Sequence, residues 1–225
     1  MTSISGKRTG AIFTFVLAVG AGIFSTTQYG RADNQGDSSE SEIKIGLALS
    51  PVKMNLAGKN RALVARGSYI VNAQGDCNGC HSSGPAAEFA AGGNPYFGQK
   101  PTVVNPVGFL GGGRDFGPFP APGNFPHIIS RNLTPDKSGK PEGGASLEEF
   151  IHIIRTGEDM DHLHPTCTGA PNGQCLPAPF DGTRLQIMPW PIQAKMSDHD
   201  LEAIYEYLST IPCVVGPGDS ASRCP

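Results

Sequence analysis

The chain has 225 residues, with 17 basic and 20 acidic side chains and a formal charge of −3. That balance offers no basic field for nucleic acid. Thirty glycines and 20 prolines, with few alternating apolar and polar runs, argue for a small core carrying long loops and against a large sheet.

At the N-terminus Lys7 and Arg8 precede an uncharged, largely apolar run from Ala11 to Phe24. Its length of about 14 residues suits a signal-peptide core and falls short of the roughly 20 needed to cross a bilayer. Gly30 and Ala32 stand at −3 and −1 of a cleavage point, so residues 1–32 read as a signal peptide. A retained membrane anchor is the alternative. Cleavage after Ala32 removes Lys7, Arg8 and Arg31 and no acid, taking the charge from −3 to −6. The mature chain is expected in the periplasm, without stable membrane insertion. Residues 33–58 open with "DNQGDSSESE", which has little to bury and reads as a flexible leader.

A first helical pattern runs from Lys59 to Ala73, with Leu63, Gly67 and Ile70 on one face. It leads into "GDCNGCHSS". From Ser82 to His127 glycine and proline dominate, interspersed with phenylalanines that must pack on something else. Ser146 and Glu149 form a capping box ahead of the stripe Leu147, Phe150, Ile151 and Ile154, and Gly157 offers a C-terminal cap. The last helix starts at Ser197, with Asp200 as reciprocal capping acid. It carries Leu201, Ile204, Tyr205 and Leu208 on one face and stops at Pro212. Three helices and long loops are thin material for a core, and a large apolar prosthetic group would supply the missing centre.

Cys77, Cys80 and His81 form a single Cys-x-x-Cys-His motif. This spacing lets two thiols add to the vinyl groups of one porphyrin and carries an imidazole beneath the iron, the c-type haem signature. A dithiol switch would need a βαβ setting and has no use for the histidine. A zinc site would need a second close ligand pair, and neither Cys167/Cys175 nor His162/His164 has that spacing. One covalent haem c is therefore expected, with His81 as one axial ligand.

The other axial position decides whether the iron carries electrons or is open to chemistry. The candidates are Met160, Met188, Met196, His127, His162 and His164. Met196 precedes the last helix and reads as a hydrophobic staple onto Leu201. Met160 lies in the polar stretch "GEDMDH". Met188, in "LQIMPWP", is held by Pro189 and Pro191, which limit the entropy lost on fixing it at a metal, and it is the expected ligand. Trp190 needs an indole partner if buried; a haem propionate and plain packing on the porphyrin edge are the two readings. Arg114, Arg131 and Arg184 could neutralise propionates or be solvent-exposed. The remaining four cysteines allow three pairings. The local ones, Cys167–Cys175 and Cys213–Cys224, are expected after export.

Over Arg61 to Pro212 the chain resembles a class I cytochrome c domain. More narrowly, it resembles the haem domains in cytochrome subunits of bacterial periplasmic alcohol, gluconate and sugar dehydrogenases. The resemblance rests on four ordered blocks, "RGSYIVNAQGDCNGCH", "LGGGRDFGPFPAPGNFPHIISRNLTPDKSG", "SLEEFIHIIRTGED" and "MPWPIQAKMSDHDLEAIYEYLSTIP". It implies an all-α class I cytochrome c fold with three main helices around one haem. It also implies thioether links at Cys77 and Cys80, axial ligation by His81 and Met188, and first and last helices crossing with Gly67 against Tyr205 or its neighbour. The chain departs from those subunits in having one haem domain where they have three. An insertion over residues 165–184 and a cysteine-bearing tail over 213–225 flank a domain of 59–212.

Three functions follow as expectations. The first is a monohaem electron carrier, not itself an enzyme, between a donor dehydrogenase and a cytochrome or oxidase acceptor. The second is a dedicated cytochrome subunit of a dehydrogenase, docking through the insertion. The third is a haem enzyme or gas sensor with an open distal site.

Overall fold

The computed structural model describes residues 34–121, 123, 125–159, 176 and 178–225. The signal segment expected at 1–32 lies outside the described residues, as do Met160, His162, His164, Cys167 and Cys175. No helix among the described residues is long and apolar enough to cross a membrane.

The stretch expected as a flexible leader is helical instead, as α1 (Asn34–Leu49). Its end lies so close to the next helix that a Cβ on Gly46 would stand 2.2 Å from the Ala65 carbonyl oxygen. Beyond it, Leu47, Val52, Met54 and Leu56 pack on the core, and Asn55 N donates to Thr210 O at 2.8 Å. The polar opening of this segment conceals the apolar residues that follow and anchor it.

Helix α2 (Arg61–Tyr69) starts at Asn60, whose side-chain oxygen accepts from the Ala62 and Leu63 amides at 3.1 and 3.3 Å. It continues as one π turn, Ile70–Gln74, closed by Gly75 N donating to Ile70 O at 2.7 Å. The short helices α3 (Cys77–His81) and α4 (Pro85–Glu88) and a 3₁₀ turn, Pro95–Phe97, follow. Strands β1 (Asp115–Pro118) and β2 (His127–Ile129) then pair antiparallel, with Asp115 opposite Ile129. This hairpin corrects a strictly all-α expectation. It lies in the glycine- and proline-rich stretch, where no alternation announces strands.

Helix α5 (Leu147–Thr156) has both halves of its capping box, Glu149 N to Ser146 Oγ at 3.2 Å and Ser146 N to Glu149 Oε2 at 2.6 Å. Helices α6 (Trp190–Gln193) and α7 (Asp198–Leu208) are the last elements among the described residues. Ser197 Oγ caps α7 by accepting from Asp200 N at 3.1 Å. The Asp200 carboxylate, expected to complete that cap, reaches across to Arg66 Nε on α2 at 2.9 Å.

Helices α2 and α7 cross at Gly67, where a Cβ would fall 1.9 Å from the Ala203 carbonyl oxygen and 2.8 Å from Tyr207 Cβ. Gly67 therefore meets Ala203 and Tyr207. Tyr205 lies on another face, with its ring 5.8 Å from that of Phe150 and its hydroxyl donating to Ala145 O at 3.0 Å. Tyr207 is fully buried. Ser50 Oγ at 3.0 Å and Asn72 Nδ2 at 3.1 Å satisfy its phenol. Gly67→Ala is expected to destabilise the fold by about 1–3 kcal/mol through overpacking. Gly108, with nothing near its absent side chain, should tolerate alanine within about 0.5 kcal/mol. Urea unfolding of the two variants checks this.

Candidate functional site

The tight helix crossing leaves one side of the bundle open, and there a cavity of about 770 Å³ lies between α3 and the segment around Met188. The volume is in the range of sites that enclose a cofactor. Ile70 and Val71 of the π turn, Phe150 of α5 and Leu201 of α7 are among its apolar walls. Cys77, Cys80, His81 and Met188 all face it, and neither Cys77 nor Cys80 is in a disulfide.

Helix α3 is gripped by the segments 110–114 and 131–134, of which Arg131 and Leu133 also line the cavity. Leu110 N donates to Asn78 Oδ1 at 2.9 Å, and Gly112 N donates to His81 O at 2.6 Å. The Arg114 guanidinium donates to Gly79 O. The Arg131 carbonyl accepts from His81 Nδ1 at 2.7 Å. A carbonyl can only accept, so the Nδ1 carries the proton and the Nε2 lone pair is left for a metal. Burial holds the imidazole below its ordinary basicity, with the Arg131 carbonyl pulling the other way. Asp76, Leu110 and Glu142 adopt positive φ of 44°, 55° and 53°. These conformations are uncommon for residues with a side chain, and all three lie at or beside this site.

Burial pushes the Cys77 thiol up to about 12, with Asp76 and then Cys80 adding to the rise. A thiol that stays protonated is a poor partner for dithiol exchange, which needs a thiolate. No group of three or more His, Cys, Asp or Glu side chains placed to hold a metal ion occurs among the described residues.

On the opposite wall, Met188 sits in a segment fastened to the end of α5. Leu185 N donates to Gly157 O at 2.8 Å, and Arg184 donates to Thr156 O and pairs with Glu158 Oε1 at 2.9 Å. Trp190 lies against Gly157, where a Cβ would fall 2.4 Å from the indole ring. Its N–H donates to Leu185 O at 3.0 Å. That donor serves the loop that carries Met188. Met196 and His127 also reach the cavity wall. His127 sits on the exposed hairpin with Nδ1 2.8 Å from Asp115 Oδ2.

The three arginines considered for propionates all have protein partners. Arg114 holds Gly79 and lies 4.9 Å from the Phe116 ring centroid, and Arg184 is bound as above. Arg131 pairs with Glu142 Oε1 at 3.2 Å and contacts Asp159. Two buried carboxylates thus fix the side chain of the residue whose carbonyl holds His81. Neither was singled out from sequence, since an acid amid "KPEGG" or "GEDMDH" gives no sign of burial. Desolvation pushes the Glu142 carboxyl up to about 7, against Arg131 and with help from Asp159.

The raised value has a definite sign. Between the ordinary 4.5 and about 7 the folded state holds a proton that the unfolded state has released. Stability therefore falls as pH rises through that window. Glu142→Gln is expected to flatten this fall, so the variant compares more favourably with wild type at pH 8 than at pH 5. Thermal melting of both at the two pH values checks it; parallel profiles would contradict it.

The chain is 33% identical over 150 residues to the gluconate 2-dehydrogenase cytochrome c subunit of Pantoea cypripedii, covering 66% of this chain and 23% of that one. It is 26% identical over 160 residues to the fructose dehydrogenase cytochrome subunit of Gluconobacter japonicus, covering 71% of this chain and 24% of the relative. The chain thus spans about a quarter of the length of the curated relatives it matches. No family model matches the chain, and no solved structure does. Its similarity is to one stretch of the cytochrome subunits of a gluconate and a fructose dehydrogenase.

Proposed function

We propose that this chain is an exported monohaem c-type cytochrome of class I fold that serves a dehydrogenase as its electron-transferring partner, without itself being the catalytic component. The observation that carries the reading is the convergence of Cys77, Cys80, His81 and Met188 on one apolar cavity. In it, Cys77 and Cys80 form the thioether links, and His81 presents Nε2 with its tautomer fixed by Arg131. Met188 supplies the thioether sulfur from a loop that is already fastened. The haem supplies an iron that accepts and releases one electron. The chain's own work is to exclude water with Ile70, Val71, Phe150 and Leu201 and to keep both ligands in place, so that little reorganises when the charge changes.

The similarity to cytochrome subunits of two dehydrogenases supports a dedicated subunit over a carrier that serves several partners. A sugar or sugar-acid dehydrogenase is the donor that similarity favours, with a cytochrome or oxidase as acceptor. The end of the inserted loop packs beside the hairpin, with the Phe180 ring 5.1 Å from that of Phe119. The Cys213–Cys224 disulfide supports an oxidising, periplasmic location.

The reading is tested spectroscopically. Ferric haem with histidine and methionine ligands has a weak near-red sulfur-to-iron band. That band should be present in the wild type, vanish in Met188→Ala and survive in Met196→Ala. A wild type that lacks the band and binds carbon monoxide readily would instead support an open distal site and a haem enzyme or gas sensor.

A further inference from the structure

The C-terminal tail, residues 213–225, follows α7 and is closed into a ring by Cys213–Cys224. It lies against the outer face of the two segments that grip the anchor helix. Asn132 Nδ2 donates to Val214 O at 2.9 Å and to Asp219 Oδ2 at 2.6 Å. Val214 N donates to Thr134 Oγ1 at 3.1 Å, and Arg223 Nη2 to Thr134 O at 2.5 Å. The backbone contact is equally close, since a Cβ on Gly216 would stand 1.9 Å from Gly111 O and one on Gly113 2.7 Å from the Pro217 ring. Asp219 also accepts from Gly216 N at 2.9 Å, which folds the ring onto its own contact.

The gripped segments are tied to each other as well. Leu133 N donates to Leu110 O at 2.9 Å, Gly113 N to Ser130 O at 2.8 Å, and Arg114 N to Ser130 Oγ at 2.9 Å. The result is three layers: the ring outside, segments 110–114 and 131–134 in the middle, and α3 with His81 inside. Asn132 and Thr134 are buried between them. The middle layer contains three consecutive glycines, Gly111 to Gly113; Leu110 and Leu133 tie it to the core, and hydrogen bonds and the ring hold the rest.

We infer that the disulfide-closed tail is a positioning element for His81, fixing from behind the segment whose Arg131 carbonyl accepts the hydrogen bond from His81 Nδ1. Asn132, Thr134 and Asp219 are its positioning residues. The inference rests on the proposed function for its consequence at the iron and on the layered contacts for its mechanical part. Without the ring the Arg131 carbonyl moves more freely and its hydrogen bond to His81 weakens. A less basic imidazole stabilises ferric iron less, so the midpoint potential rises.

The test uses the full-length haem protein, wild type against Cys213→Ser/Cys224→Ser, with Asp219→Ala as a second variant that keeps the bridge. Amide hydrogen exchange and the midpoint potential are read on each. Exchange at Gly112, Gly113 and Leu133 should quicken by about tenfold or more, in line with the loss of one or two net hydrogen bonds. Amides of α2 and α7 should stay at wild-type rates, and the potential should rise with the near-red band retained. Unchanged exchange at those three amides, an equal acceleration in α2 and α7, or an unmoved potential would each overturn the inference. A wild type that carries no haem would sink the proposed function alone, because the exchange measurement still decides whether the tail fixes the segment.

Discussion

A hydrogen bond from His81 Nδ1 to the Arg131 carbonyl, 2.7 Å long, joins positions 50 residues apart. It does two things at once: it chooses the tautomer and it sets the plane of the ring. A single bond of this kind contributes only about 1 kcal/mol net, too little to fix a ligand unless its acceptor is itself immobile. Much of the architecture beyond α3 serves that immobility. The Arg131 side chain is held by Glu142 and Asp159, while Asn132 and Thr134 are held by the C-terminal tail.

The buried Arg131 cluster is not a simple gain in stability. Desolvating two carboxylates and a guanidinium offsets most of their attraction, and such groups often add little net stability compared with apolar residues of the same volume. What the cluster provides is a fixed geometry, since a guanidinium between two carboxylates has few alternative poses. Desolvation, which pushes the Glu142 carboxyl up to about 7, is part of that cost. The same economy appears at Met188, where the Trp190 indole and the Arg184 guanidinium are both engaged in tying its loop to α5.

Local signals made α2, α5 and α7 legible from sequence, because capping side chains and apolar periodicity act within a few residues of each other. Ser146 with Glu149 is such a case. The Cys-x-x-Cys-His motif and the Met-Pro-Trp-Pro block likewise carry their meaning in adjacent residues. The failures are residues whose role is set at a distance. Asp200 looked like a cap and pairs with α2. The segment after residue 33 looked unstructured because its first ten residues are polar, whereas Gly46 and the apolar positions beyond it decide its packing. Glu142 and the grip of segments 110–114 and 131–134 on α3 depend on contacts between residues far apart in the chain, which no short pattern encodes.

In the proposed function the paired thiols on α3 anchor a prosthetic group that fills the apolar cavity. Peptide mapping of the purified protein by mass spectrometry tests it most directly. One haem mass should be added to a peptide that contains both Cys77 and Cys80, stable to acid extraction, with neither thiol open to alkylation. Two alkylatable thiols on that peptide, or a pigment that acid extraction removes, would contradict it.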